Sequence, residues 1–229
     1  MSVDPRGPGG ALLHVLAKDL LIEWRVRTRA LALVCFAFTL LLLFSFAIGP
    51  NTALLQKLAS AYLWMTLMLS SSLLLSASFQ IEVEAGALER MLLVPVSPSA
   101  LFYGKALANT AQLFGLGLTA TVMGVVLFDA HPSSWGAMVA VLALGAAGVA
   151  APGTMYAGLT ARIPARQLLL PLLLFPLLVP ALLAAVKATG LLMQGDPMHQ
   201  LSGWMTLLGC FDLLFWSLCG LLFGKVVGP

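Results

Sequence analysis

Residues 79–105, FQIEVEAGALERMLLVPVSPSALFYGK, form a charged stretch between long apolar runs, and this contrast decides the fold class. Of the 229 residues, 60% are hydrophobic and only 9% are charged, with a mean hydropathy of +1.00. A soluble domain carries roughly a quarter charged residues to cover its surface. The composition therefore predicts an all-α integral membrane protein. Its net charge of +3 is scattered along the chain, so no nucleic-acid partner is expected.

Apolar runs on both sides of this stretch are long enough to cross a bilayer, whose core of about 30 Å requires around 20 residues per helix. Six spans are predicted, at 30–48, 58–78, 101–128, 135–160, 168–189 and 203–224. The third and fourth are longer than required, which indicates tilted helices or misplaced ends. GPNTALLQK, DAHPSSW, MQGDPMHQ and TARIPARQ between the spans are typical of turns. Residues 11–229 are interpreted as one transmembrane domain that follows a disordered tail at 1–10.

Lys and Arg near the span ends predict the orientation, because positively charged loops stay on the cytoplasmic side. With the N-terminus inside, two basic residues, Lys57 and Lys187, fall outside. The cytoplasmic side receives Arg6, Lys18, Arg25, Arg27, Arg29, Arg90, Lys105, Arg162, Arg166 and Lys225. Both termini and the charged stretch are therefore expected in the cytoplasm.

Residues 11–28, ahead of the first span, have the pattern of an interfacial amphipathic helix. One helical face carries apolar residues, namely Leu13, Leu16, Leu20 and Trp24. Charged residues occupy the other faces, and the basic end at 25–29 would lie among anionic headgroups. The helix is either a membrane-entry anchor or part of a mechanical linkage, and the sequence leaves both interpretations open.

The charged stretch begins with a helical pattern, which Pro95 and Pro98 end. One face of this short helix is charged or small: Glu82, Gly86, Glu89 and Arg90. The other is apolar: Ile81, Ala85, Leu88 and Leu92. An amphipathic helix between two spans suits insertion into a groove of a soluble partner. We interpret 79–99 as a coupling segment, and a solvated connecting loop is the alternative.

A resemblance to a known family begins in this segment, at Phe79, Glu82, Gly86, Leu88 and Glu89, followed by LLVPVSPSALFYGKALAN. Further stretches agree with the same family in order and spacing: LLHVLAKDLLIEWRVRTR, AAPGTMYAGLTARIPARQLLLPLLLFPLLVPALLAA and FDLLFWSLCGLLF. Together they resemble CcmB, the family of haem exporter membrane subunits of cytochrome c maturation. The resemblance extends over nearly the whole chain after residue 10.

The resemblance implies a six-span permease of the ABC exporter type in the bacterial inner membrane. Its implied partners are a cytoplasmic ATPase, CcmA, the membrane proteins CcmC and CcmD, and the haem chaperone CcmE. That family attributes haem handling to CcmC, so haem belongs to the complex and this chain is expected to bind no cofactor. The implied coupling contacts with the ATPase are Phe79, Glu82, Gly86, Leu88, Glu89 and Arg90.

No catalytic or metal site is recognisable in the sequence. A G-x-x-x-x-G-K-[ST] loop is absent, so ATP with its Mg²⁺ is expected on the partner subunit. Cys35, Cys210 and Cys219 match neither a zinc site nor the C-x-x-C-H haem motif. His131 and His199 have no neighbouring aromatic cluster that would favour haem ligation. The chain is therefore expected to be a non-catalytic subunit of an ATP-driven translocase.

Asp212 is an acid deep within a predicted span. A carboxylate at the bilayer centre costs on the order of 3 kcal/mol on insertion scales, so it must face protein or carry a proton. We interpret Asp212 as either a relay or gating contact or a hydrogen bond between packed helices.

Prolines and small residues mark places where the helices bend or approach closely. Pro171, Pro176 and Pro180 remove backbone donors and are expected to bend or break the fifth helix. Pro152 and Gly153 belong to a small-residue face that suits close helix packing.

Two other functions remain open: an ABC-type exporter of another substrate, such as a lipid or glycan, and a non-transporting membrane scaffold. The first would show substrate-stimulated ATPase activity without haem proteins. A scaffold would still contribute to the assembly complex when the partner ATPase is inactive. In the favoured mechanism, nucleotide-driven closure of two ATPase subunits moves helix 82–93, which tilts the spans that it joins.

Overall fold

The structure, a computed structural model, describes residues 27–78, 98–160 and 166–227. Its six helices are α1 Arg27–Ile48, α2 Thr52–Ser78, α3 Pro98–Phe128, α4 Trp135–Thr160, α5 Arg166–Gln194 and α6 Leu201–Val227. The six are all long and apolar enough to cross a membrane. The predicted all-α class with six spans is therefore confirmed.

Parts of two predicted segments belong to regular helices instead. Arg27 and Thr28, assigned to the interfacial helix, begin α1, and Pro98 and Ser99, assigned to the coupling segment, begin α3. Proline is favoured in the first turn of a helix, where its missing N–H has no partner to lose. The tail and the rest of both segments, at 1–26 and 79–97, lie outside the described residues.

Consecutive helices run antiparallel, so the bundle has two ends. At one end, called here the 79–97 end, α2 stops at Ser78 and α3 starts at Pro98. Short turns at 49–51, 129–134 and 195–200 join the helices at the opposite end. There the backbone N–H of Ser133 donates to Leu192 O at 2.8 Å, which ties the second of these turns to the last turn of α5.

Helix α4 lies at the centre of the bundle and α1 lies at its edge. Helix α4 packs against α2, α3, α5 and α6, whereas α1 packs mainly against α2 and α3. Within the apolar part of α4, 61% of the residues are buried, whereas 11% are buried in the apolar part of α1. Because lipid is as apolar as the side chains of α1, this exposure is stable in a bilayer and would not be in water.

Glycines on α4 make room for large side chains of α2. The Trp64 ring fills the space that a Cβ at Gly145 would need, and the Leu75 side chain does the same at Gly153. The indole Nε1 of Trp64 then donates to Thr189 Oγ1 on α5 at 2.9 Å. The small-residue face of α4 is therefore occupied within this chain, where it brings α2, α4 and α5 into contact.

The prolines inside the helices do not interrupt them. Helix α5 is continuous through Pro171, Pro176 and Pro180, so the break expected as one outcome of these residues does not occur. Helix α4 likewise continues through the buried Pro152. Neighbouring helices and small local adjustments can satisfy the freed carbonyls in a membrane bundle, where no water competes for them.

The turn between α1 and α2 is shorter than the sequence predicts. Helix α2 starts at Thr52, six residues before the predicted span, because Asn51 acts as its N-cap. The Asn51 Oδ1 atom accepts the backbone N–H of Leu54 at 3.1 Å. Gly49, with φ of 72°, supplies the left-handed residue that ends α1.

The side chain of Asp196 satisfies backbone N–H groups at the start of α6, as Asn51 does for α2. Its carboxylate accepts the backbone N–H of Leu201 at 2.9 Å and that of Gln200 at 2.8 Å. The hydrogen bond from Leu201 contributes most to holding the pKa of Asp196 below its ordinary value. Asp196 is therefore ionised at neutral pH.

Gly145→Ala tests whether the contact between α2 and α4 limits stability. The added methyl would overlap the Trp64 ring. Such overpacking costs about 1–3 kcal/mol, which exceeds the roughly 1 kcal/mol that Ala gains over Gly within a helix. We expect a lower midpoint of thermal unfolding in detergent. The control is Gly115→Ala, because nothing lies within 4 Å of a Cβ there; equal midpoints for the two variants would contradict the clash.

Candidate functional site

The residues predicted to contact an ATPase lie outside the described residues: Phe79, Glu82, Gly86, Leu88, Glu89 and Arg90. The structure does describe the two points at which their segment joins the bundle. These are Ser78, the last residue of α2, and Pro98, the first of α3. The polar side chains around these points form the candidate site.

Two cations meet the C-terminal carbonyls of α2. The Lys105 ammonium on α3 donates to Ser78 O at 3.0 Å, and the Arg29 guanidinium on α1 donates to Leu74 O at 2.9 Å. The C-terminus of a helix carries a partial negative charge, so positive groups are stabilised there. The last turn of α2 is thereby tied to both flanking helices.

A chain of neutral hydrogen bonds extends this contact to α4. Ser78 Oγ donates to Asn109 Oδ1 at 3.1 Å, and Asn109 Nδ2 donates to Thr154 Oγ1 at 2.9 Å. Asn109 is 2% exposed and Thr154 is fully buried. We call the set of Arg29, Ser78, Lys105, Asn109 and Thr154 the polar clamp.

Burial makes the geometry of the polar clamp strict. Lys105 is 2% exposed. A buried ammonium is tolerated only where acceptors replace its water, since the penalty otherwise amounts to several kcal/mol. Lys105 and Asn109 are one helical turn apart and project from the same face of α3. A displacement of Ser78 therefore has to move α3 and α4 with it, or break buried polar contacts.

The polar clamp was not predicted from the sequence. Arg29 and Lys105 were counted there only as cytoplasmic charges. A signal was nevertheless present, because Lys105 stands inside the predicted third span with Asn109 one turn later. Such a pair within an apolar run indicates side chains that face protein rather than lipid.

Asp212 lies apart from the polar clamp, near the middle of α6. It is 8% exposed, and neither carboxyl oxygen has a hydrogen-bond partner among the described residues. Its Oδ1 atom is 2.8 Å from the position of a Cβ built on Gly148 of α4. The interhelical hydrogen bond that the sequence allowed is therefore absent from the described contacts.

The described ranges offer no group of three His, Cys, Asp or Glu residues that could hold a metal ion. Cys35, Cys210 and Cys219 are free thiols, and only Cys219 is buried. His131 lies in an exposed turn, where its Nε2 atom is 3.3 Å from Asp129 Oδ1. The chemistry of the described site is therefore that of buried hydrogen bonds between helices.

Lys105→Met tests the polar clamp, since it keeps the length of the side chain and removes the donor to Ser78 O. A buried acceptor left without its donor costs about 1–3 kcal/mol, and the cost is smaller for Ser78 O because Ser78 is half-buried. We expect a clear fall in the midpoint of thermal unfolding in detergent. Lys187→Met on α5 is the control, because that side chain is exposed. An equal change in both variants would show that the Lys105 contact contributes nothing specific.

Comparison with known proteins gives matches along almost the whole chain. A family model described as CcmB protein matches residues 10–226. Heme exporter protein B of Bradyrhizobium diazoefficiens is 31% identical over 223 residues, which cover 96% of this chain and 94% of that protein. The protein of the same name from Paracoccus denitrificans is 34% identical, and the match covers 80% of this chain and 87% of that protein. The one from Rhodobacter capsulatus is 30% identical, and the match covers 82% of this chain and 88% of that protein. The matches therefore extend far beyond a single motif.

Proposed function

Because the chain belongs to the CcmB family, we propose that it is the permease subunit of an ABC-type haem exporter in cytochrome c maturation. The observation that carries this proposal is the family match over residues 10–226 on a bundle of six membrane-spanning helices. The relatives named Heme exporter protein B are matched over more than four fifths of their own length. A haem exporter complex with other Ccm components follows from that membership.

The 79–97 end of the bundle is proposed to face the cytoplasm of a bacterial inner membrane, with both termini on that side. Arg29, Lys105 and Lys225 stand near this end of their helices, whereas Lys57 lies in the first turns of α2 at the opposite end. Positive charge near the ends of membrane helices favours the cytoplasmic side. Residues 79–97 are then within reach of a soluble ATPase.

The partners in this proposal are a CcmA-like ATPase, CcmC-like and CcmD-like membrane proteins and a CcmE-like haem chaperone. The ATPase binds ATP with Mg²⁺ and performs the hydrolysis, so this chain is not an enzyme by itself. Haem is held by the CcmC-like neighbour. The ATPase contacts Phe79, Glu82, Gly86, Leu88, Glu89 and Arg90.

The polar clamp provides the path by which the ATPase acts on the spans. A push on residues 79–97 reaches Ser78 directly, and the hydrogen bonds of Ser78 carry it to Lys105 and Asn109 on α3. Asn109 passes the displacement to Thr154 on α4, the central helix. Buried polar contacts have few alternative arrangements, so such a displacement switches between packed states rather than dissipating.

Helix α1 is the element best placed to yield. A crevice of about 220 Å³ lies beside the contact between α1 and α3 and is lined by Ala30, Leu33, Val34, Leu74, Ala111, Gln112, Gly115, Leu116 and Thr119. Because side chains of the described residues do not fill this crevice, α1 has more room to shift against α3 than the closely packed central helices have. The Arg29 contact with Leu74 O keeps the end of α1 attached to α2 during that shift.

Glu89→Lys tests the proposal by reversing one charge on the segment that would meet the ATPase. We expect normal membrane insertion with loss of co-purification of the ATPase, or hydrolysis that no longer releases the holo chaperone. Co-purification from detergent extracts and holo-chaperone release are the measurements.

Asp129→Lys is the matched control, because Asp129 lies in an exposed turn at the opposite end of the bundle. Normal co-purification and release in Glu89→Lys would contradict the coupling role of this segment. Normal maturation beside an ATPase-dead partner would instead favour a non-transporting scaffold.

A further inference from the structure

Asp212 has no part in the coupling path, yet its environment is the most unusual of any acid that the structure describes. The residue is 8% exposed at the middle of a membrane-spanning helix. Both of its oxygens are shielded from solvent, and no donor among the described residues reaches either one. With both oxygens shielded and no donor among the described residues, the ligand that fits this carboxyl is a proton.

The walls of the Asp212 site are apolar side chains and the backbone of α4. Gly148 leaves the space for Oδ1, and the side chains of Phe211 and Ala181 stand beside the same glycine. One turn further along α6, Trp216 Nε1 donates to Ala147 O on α4 at 3.2 Å. The carboxyl is therefore held directly against α4, next to a hydrogen bond that joins the two helices.

Several titratable side chains lie on the helices packed against α6 and on α6 itself. Those with a described side chain on α3, α4 and α5 are Tyr103, Lys105, Tyr156 and Lys187, and α6 adds Cys210, Cys219 and Lys225. Tyr103 donates its hydroxyl to Trp216 O at 3.4 Å, Lys105 donates to Ser78 O, and Lys187 is exposed. None of the described groups gives Asp212 a hydrogen bond.

We propose that Asp212 is a proton-binding site, occupied at neutral pH, and that the neutral carboxyl is what allows α4 and α6 to pack at Gly148. A carboxylate without donors in an apolar site is strongly disfavoured, whereas a neutral carboxyl is tolerated at much lower cost. The proton comes from the aqueous phase and is held as the O–H of the carboxyl. Its release requires water or a donor at Asp212, which means that α4 and α6 have to separate.

Infrared spectroscopy of the full chain in lipid nanodiscs tests this assignment without any transport assay. At neutral pH we expect a carbonyl stretching band of a protonated carboxyl, which shifts in D₂O and is absent from Asp212→Asn. Alkaline titration should remove the band from the wild type. Asp196→Asn is the matched control and should keep the band, because the backbone hydrogen bond from Leu201 holds the pKa of Asp196 below its ordinary value and this carboxyl is ionised. Absence of any Asp212-dependent band at neutral pH overturns the proposal.

Gly148→Ala tests the geometry without changing the acid, and it keeps the proposal testable if Asp212→Asn fails to fold. A Cβ at Gly148 would stand 2.8 Å from Oδ1, so the carboxyl has to move and its band should shift. Gly209→Ala, on α6 one turn before Asp212, is the control because nothing lies within 4 Å of its Cβ. A band that stays in place in Gly148→Ala overturns the placement of the proton against α4.

Discussion

The hydrogen bond from the Lys105 ammonium to Ser78 O is the constraint on which the arrangement at the 79–97 end depends. It places a buried cation at the negative end of α2, where the helix itself supplies part of the compensation. Because Ser78 also reaches Asn109, the same residue joins α2 to a second polar contact that continues to Thr154. In the proposed coupling path, the response to the ATPase passes through some of the least exposed polar side chains of the bundle.

The centre of the bundle follows a different rule. Helix α4 carries glycines where its neighbours carry their bulkiest or most polar side chains, so Trp64 meets Gly145 and Asp212 meets Gly148. In a membrane, where lipid gives no hydrophobic drive toward helix association, such close approach is the main source of packing energy. Helix α4 therefore acts as the surface against which α2 and α6 are positioned.

The number of membrane-spanning helices within the described ranges, and their all-α class, could be predicted from the sequence, because apolar length is a property of each segment alone. The polar clamp could not, since it depends on which helices are neighbours, and Lys105 and Thr154 are far apart in the chain. The early start of α2 was missed for a local reason, because the Asn51 cap was read as part of a turn. Asp212 could be singled out from its position within an apolar span. Its contact with Gly148 could not, because that contact depends on how α4 and α6 pack in the fold.

The contrast between α1 and α2 also bears on how the protein is made. The apolar part of α1 has a mean hydropathy of 2.7, and 11% of its residues are buried. In α2 the mean hydropathy is 1.5, and 56% of the residues are buried. Helix α2 carries Ser60, Thr66, Ser70 and Ser71 on surfaces that later helices cover. On leaving the ribosome, α1 can therefore partition into lipid unaided, but α2 exposes hydroxyls to hydrocarbon until α4 and α5 have been synthesised. During synthesis, α2 is the least apolar of the six described spans, and it has to stay in the membrane until the helices that cover its hydroxyls are inserted.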